Sequence, residues 1–178
     1  MKTRQVTLAT GETFTVPQGI QRLDSRSTKG WQVRYQGTKY FPDGQNGADK
    51  SLQAATRELL RRVATMPAPV SLRRAPSPSK KSELPAGISG PILIKGRTPE
   101  EQSAVLSVLV PRYGELNLTR RVHIGTPSTY TKARYRAAVA RAIEIRDEGI
   151  AKYEAAATKA RRKAAAELKK QLAAQRAA

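Results

Sequence analysis

"GWQVRYQGTKYFPDG", residues 30–44, decides how the chain folds around it. Side chains alternate along a strand, so Trp31, Val33 and Tyr35 share one face while Gln32, Arg34 and Gln36 share the other. The apolar set needs a cover, and "SLQAATRELLRRVA", residues 51–64, supplies one. There Leu52, Ala55, Leu59 and Val63 recur at helical spacing as one apolar stripe, with Arg57, Arg61 and Arg62 off it. A sheet packed on that stripe leaves a row of guanidinium and amide groups on its open face. Such groups pair with base edges and phosphates in a major groove, although a polar open face is also the default of a half-buried antiparallel sheet.

Working outward, a short hairpin (Gln5 to Leu8, Phe14 to Val16) is expected before this unit. "GQNGADKS", Gly44 to Ser51, superficially resembles a phosphate-binding loop, but Asp49 stands where the second glycine belongs and would repel the phosphate. It reads as a turn into the helix. After it, "MPAPVSLRRAPSPSKKSELP", residues 66–85, carries five prolines and little to bury, the composition of an extended linker.

Beyond the linker the pattern returns in divergent form. "VPQGI", residues 16–20, opens the first module and "LPAGI", residues 84–88, opens the second; each is followed by strand-like segments and then a helix, as in a tandem repeat. The second ends in "RVHIGTPSTYTKARYRAAVARA", residues 121–142: a strand closing at Gly125, a turn, and an alanine-rich helix. Tyr135, Val139, Ala142 and Ile143 form its inner stripe, Arg134, Arg136 and Arg141 lie elsewhere, and Ser128 is placed to cap its start. Alanine on the inner face lets the helix lie close to a sheet. "SAVLSVLVP", residues 103–111, does not alternate, which predicts a strand buried on both sides. A helix-start signal at Thr98, Pro99 and Glu101 competes with it and leaves residues 99–109 open between helix and strand.

Charge bounds the function. Lys+Arg 33 against Asp+Glu 14 gives +19 over 178 residues, which points to a polyanionic partner. There is no cysteine and one histidine, His123. Disulfides, thiolate nucleophiles and histidine zinc clusters are thereby removed. No cofactor and no catalytic or metal-binding residue is assigned. No apolar run reaches a membrane span and no signal-peptide core follows Met1, so a soluble protein of the cytoplasm is expected. The final stretch, 150–178, holds twelve alanines and eight basic residues with few large apolar ones. It reads as one long helix continuing from the second module, with Gly149 the point at which a break is open, that serves as a phosphate-binding arm through Arg161, Arg162, Lys163, Lys169 and Lys170.

Three strands followed by one helix, with "GW" opening the middle strand and "RVHIG" closing the third before an Ala/Arg helix, resembles the ethylene-response-factor (APETALA-type) DNA-binding domain. The matches cover roughly residues 17–64 and 86–146. The resemblance implies that each three-stranded sheet reads a major groove with the face turned away from its helix. It implies Arg22, Arg26, Gln32, Arg34, Lys39 and Phe41 on that face in the first module, and Lys95, Arg97, Arg121 and His123 in the second.

The expected fold class is therefore α+β: two small modules, residues 1–67 and 84–149, each a three-stranded antiparallel sheet on one helix, with a linker at 68–83 and a basic helical tail at 150–178. The expected function is non-enzymatic binding of double-stranded DNA, in transcription or DNA organisation, in a bacterial or phage setting beside the nucleoid. Two alternatives stay open: an adaptor that binds a host protein, or itself, through the apolar second module, and an RNA-binding protein.

Overall fold

The structure, a computed structural model, describes residues 1–177 other than 71, 73, 74, 99 and 100, and leaves aside the side chains of 46 and 175–177. The described residues form an α+β chain of three small antiparallel sheets and two α-helices, the second of them long. They divide into two compact units, one of Met1–Pro69 with Ala157–Ala178 and one of Val70–Ala156.

In the first unit, strands β1 (Thr3–Thr7) and β2 (Thr13–Pro17) pair as the expected hairpin. Strands β3 (Ile20–Asp24), β4 (Lys29–Arg34) and β5 (Thr38–Pro42) make a sheet in chain order, and a single 3-10 turn at Gly44–Asn46 leads into helix α1 (Gly47–Thr65). The alternation of the middle strand holds: Trp31 and Val33 are fully buried, and Tyr35 beyond the strand end is buried with them. They meet Leu52, Ala55, Leu59 and Val63 of α1 in one core. Trp31 is anchored twice, since its indole N–H donates to the Ala48 carbonyl at 2.8 Å and Phe14 meets its ring edge-on at 5.9 Å between centroids.

Arg62, read as lying off the helix stripe, is buried. Its guanidinium donates to the carbonyls of Tyr35 and Gly37, each at 3.0 Å. This satisfies two carbonyls of the β4–β5 loop, where Gln36 and Gly37 both have positive φ. An arginine can be buried when its donors are spent in this way.

The last helix, α2 (Lys132–Ala177), runs through Gly149 without a break, as the one long helix expected to continue from the second module. Gly149 serves another purpose: a Cβ at this position would lie 2.5 Å from Val110 Cγ1. Its residues from 157 onward belong to the first unit. Ala157, Ala165 and Leu168 are buried, Ala165 joins the core with Trp31, and Thr158 Oγ1 accepts from the Ala68 N–H at 2.8 Å. The start of the basic tail is thus a packed element, with small residues doing the packing.

In the second unit, β6 (Ile88–Ile94), β7 (Ser103–Val110) and β8 (Leu118–Gly125) form a sheet in chain order. Residues 103–109, left open between helix and strand, are strand; Pro99 of the competing helix signal lies outside the described residues. Leu106 and Val108 pack with Ala138 and Ala142 of α2, and the tight helix approach expected from alanine follows. Val105 is buried too although it is outside that core; the register shifts between Ala104 and Val105, and Val105 then stands opposite Ile92 and His123. Ser128 does not cap α2. The cap is Thr131, whose hydroxyl accepts from the Arg134 N–H at 3.1 Å, because the intervening turn is longer than the sequence reading allowed.

Candidate nucleic-acid interface

Residues directly opposite each other in an antiparallel sheet share a face, so the register fixes what the first sheet presents. Gln21 stands opposite Gln32 and Gln32 opposite Tyr40, while Arg34 faces Thr38. All of these lie on the side away from Trp31 and Val33. The open face is therefore Gln21, Gln32, Arg34, Thr38 and Tyr40. Arg34 is exposed, and its Nε donates to Gln32 Oε1 at 2.6 Å, which aligns the two for bidentate hydrogen bonding outward. Tyr40 lies across Gly30 and donates from its hydroxyl to the Lys29 carbonyl at 2.7 Å. A Cβ on Gly30 would collide with the Phe41 carbonyl and the Tyr40 ring, so the glycine of "GW" is what lets the ring lie flat.

Three expected contacts are on the wrong side. Arg22 stands opposite Trp31, as does Phe41, and Lys39 stands opposite Val33; all three therefore belong to the helix-facing side. Arg22 stacks 5.1 Å from the Trp31 ring centre and grips Asp43 with both terminal nitrogens, at 3.0 and 2.7 Å. Partial burial works against ionising Asp43, but the hydrogen bonds from Arg22 and Ser51 prevail and hold its carboxyl below the usual value. Arg22 is a clamp between sheet and helix. Phe41 is half-buried against the core, and Lys39 lies 5.4 Å from the Phe41 ring. Arg26 is exposed in the β3–β4 turn, at the tip of the sheet.

In the second unit, Arg121 and His123 are exposed on the sheet face that also carries Val105 and Ser107. Lys95 and Arg97 sit in the exposed β6–β7 connection, where the Arg97 N–H donates to Glu101 Oε2 at 2.8 Å. On α2, Arg162, Lys163, Lys169 and Lys170 are exposed, whereas Arg161 is half-buried. Its guanidinium sits 5.5 Å from the Tyr35 ring centre, a cation over an aromatic face. Burial raises the Tyr35 hydroxyl's pKa even though Arg161 and Arg162 oppose the shift.

Gln21 and Tyr40 escaped the sequence reading. The signals for them were loop lengths: the Ser25–Thr28 turn sets Gln21 opposite Gln32, and the three-residue loop Tyr35-Gln36-Gly37 sets Thr38 opposite Arg34 and hence Tyr40 opposite Gln32. Among the described residues no three His, Cys, Asp or Glu side chains are placed to hold a metal ion, and no helix is long and apolar enough to cross a membrane. Compared with protein-family models, with curated proteins and with solved structures, the chain matches none.

Proposed function

We propose that the protein binds double-stranded DNA without enzymatic chemistry, laying the open face of its first sheet in a major groove. The observation that carries this reading is the side-by-side row of Gln21, Gln32 and Arg34, with Tyr40 beside them, on a sheet whose other face sends Trp31 and Val33 into the core. Amide and guanidinium groups are the donors and acceptors suited to adenine and guanine edges. The resemblance to the ethylene-response-factor domain favours this side of the sheet through Gln32 and Arg34 alone, since Arg22, Lys39 and Phe41, which it also implies there, pair with Trp31 and Val33 on the other side. The excess of basic residues, continued by Arg162, Lys163, Lys169 and Lys170 of α2, supplies the sequence-independent attraction to phosphates.

The deciding experiment is selection of bound duplexes from a random pool, followed by salt-dependent gel shifts of the selected site as duplex DNA, duplex RNA and single strands. A recovered consensus with preference for duplex DNA supports the reading; tighter binding to RNA overturns it. The strongly exposed Leu93 and Leu116 of the second unit favour a second role, an apolar contact for a protein partner. In that case Leu116→Ser leaves duplex affinity unchanged.

A further inference from the structure

A groove of about 400 Å³ runs in the first unit between the start of β1 and the edge of β3. Its lining includes Lys2, Arg4 and Arg34 as well as the amides of Gln18 and Gln21, and no carboxylate. The walls are held by the main chain: the Gln18 N–H donates to the Lys2 carbonyl at 2.9 Å, and the Arg34 N–H donates to the Gly19 carbonyl at 2.7 Å. Arg4 reaches across, donating from Nη2 to the Ile20 carbonyl at 3.2 Å. That single bond fixes the guanidinium while most of its five N–H donors remain available. Arg34 commits Nε to Gln32, which leaves its terminal nitrogens free to turn into the groove. Three cations gathered around a carboxylate-free cleft repel one another unless an anion joins them.

We infer that Lys2, Arg4 and Arg34 form a cradle for a phosphodiester group. The inference rests on the duplex-binding reading, because Gln21 and Arg34 belong both to the groove and to the open face of the sheet. A backbone phosphate of the duplex read by that face enters here, and the N-terminal hairpin becomes part of the interface. The chemistry of the cradle is that of any phosphate ester or polyphosphate, so a free phosphate compound is the other source.

Two arms of one experiment separate these. In the first, the full chain and the Lys2→Gln/Arg4→Gln variant are titrated with duplex DNA across a range of salt. The slope of log affinity against log salt is expected to flatten by about 0.9, the one phosphate of the cradle being no longer neutralised, with site preference kept. Lys50→Gln/Arg57→Gln, an equal charge loss on α1, is expected to leave most of the slope intact, and Arg4→Lys keeps it by keeping the charge. In the second arm, thermal stabilisation by tripolyphosphate is expected to fall in the groove variant and not in the α1 variant. Equal effects of the groove and α1 pairs in both arms overturn the cradle. A wild-type chain that binds duplex while the groove variant is unaltered in both arms sinks the cradle and leaves the reading standing. A wild-type chain that ignores duplex but loses tripolyphosphate binding with the groove variant sinks the reading and assigns the cradle to a free phosphate.

Discussion

Glu58 and Arg62, four residues apart on α1, are joined by a 2.8 Å ion pair, and the arginine so held is the one that binds the β4–β5 loop. Hydrogen bonds from Arg61 and Arg62 bring the Glu58 carboxyl down from its usual 4.5 to about 2. Because the folded value lies below the unfolded one, the pair's contribution to stability is complete above about pH 5 and is lost as pH falls through 4.5 towards 2. Urea midpoints measured between pH 5.5 and 2.5 should drop more steeply for the wild type than for Glu58→Gln. Equal slopes would falsify the coupling.

Arg22 and Arg34 are expected to separate structure from recognition. Arg22→Ala strands Asp43 in its half-buried position and should cost about 1–3 kcal/mol of stability, read by chemical denaturation, with site preference of the folded protein retained. Arg34→Ala should leave the melt alone and cost about 1–3 kcal/mol on a selected duplex, with a smaller loss on random sequence. Equal losses on both duplexes would remove Arg34 from base reading.

Gly149 offers a test of packing against propensity. Helix propensity alone makes Gly149→Ala stabilising by about 1 kcal/mol. The clash with the short, branched Val110 reverses the sign, and a loss of about 1–3 kcal/mol is expected. Adding Val110→Ala should recover part of it. Stabilisation by the single substitution, seen in a thermal melt, would show that the helix and strand separate freely.

The tail divides at its packed stretch. Deleting residues 157–178 removes Ala165 and Leu168 from the first unit and should lower its stability as well as its affinity. Lys169→Gln/Lys170→Gln should spare stability and flatten the salt dependence by about 0.9 for each phosphate that a lysine had neutralised, equally on every duplex. Loss of site preference in the lysine variant would place these residues in base recognition.

Period-two and helical spacing made the core legible from residues alone, because Trp31, Val33, Leu59 and Val63 had nowhere else to go. What stayed hidden was register. Arg22 and Lys39 sit on flanking strands whose alignment with β4 depends on loop lengths, and one residue of slip exchanges the faces. Arg62 was hidden for a different reason: its burial depends on loop carbonyls that no side-chain pattern announces. The packing of the tail was obscured by alanine, which buries well yet leaves no strong periodic signal.

Trp31 is the chain's single tryptophan, and it sits fully enclosed beneath Arg22 and Phe14 in the first unit. Indole emission is consequently a local gauge of that unit, silent about residues 70–156, while far-ultraviolet ellipticity also reports the stretch of α2, 132–156, that belongs to the second unit. One signal watches the first unit alone and the other watches both. If the units unfold independently, emission and ellipticity will trace separate transitions in the same denaturant series, and their coincidence or divergence counts the cooperative blocks without any added label.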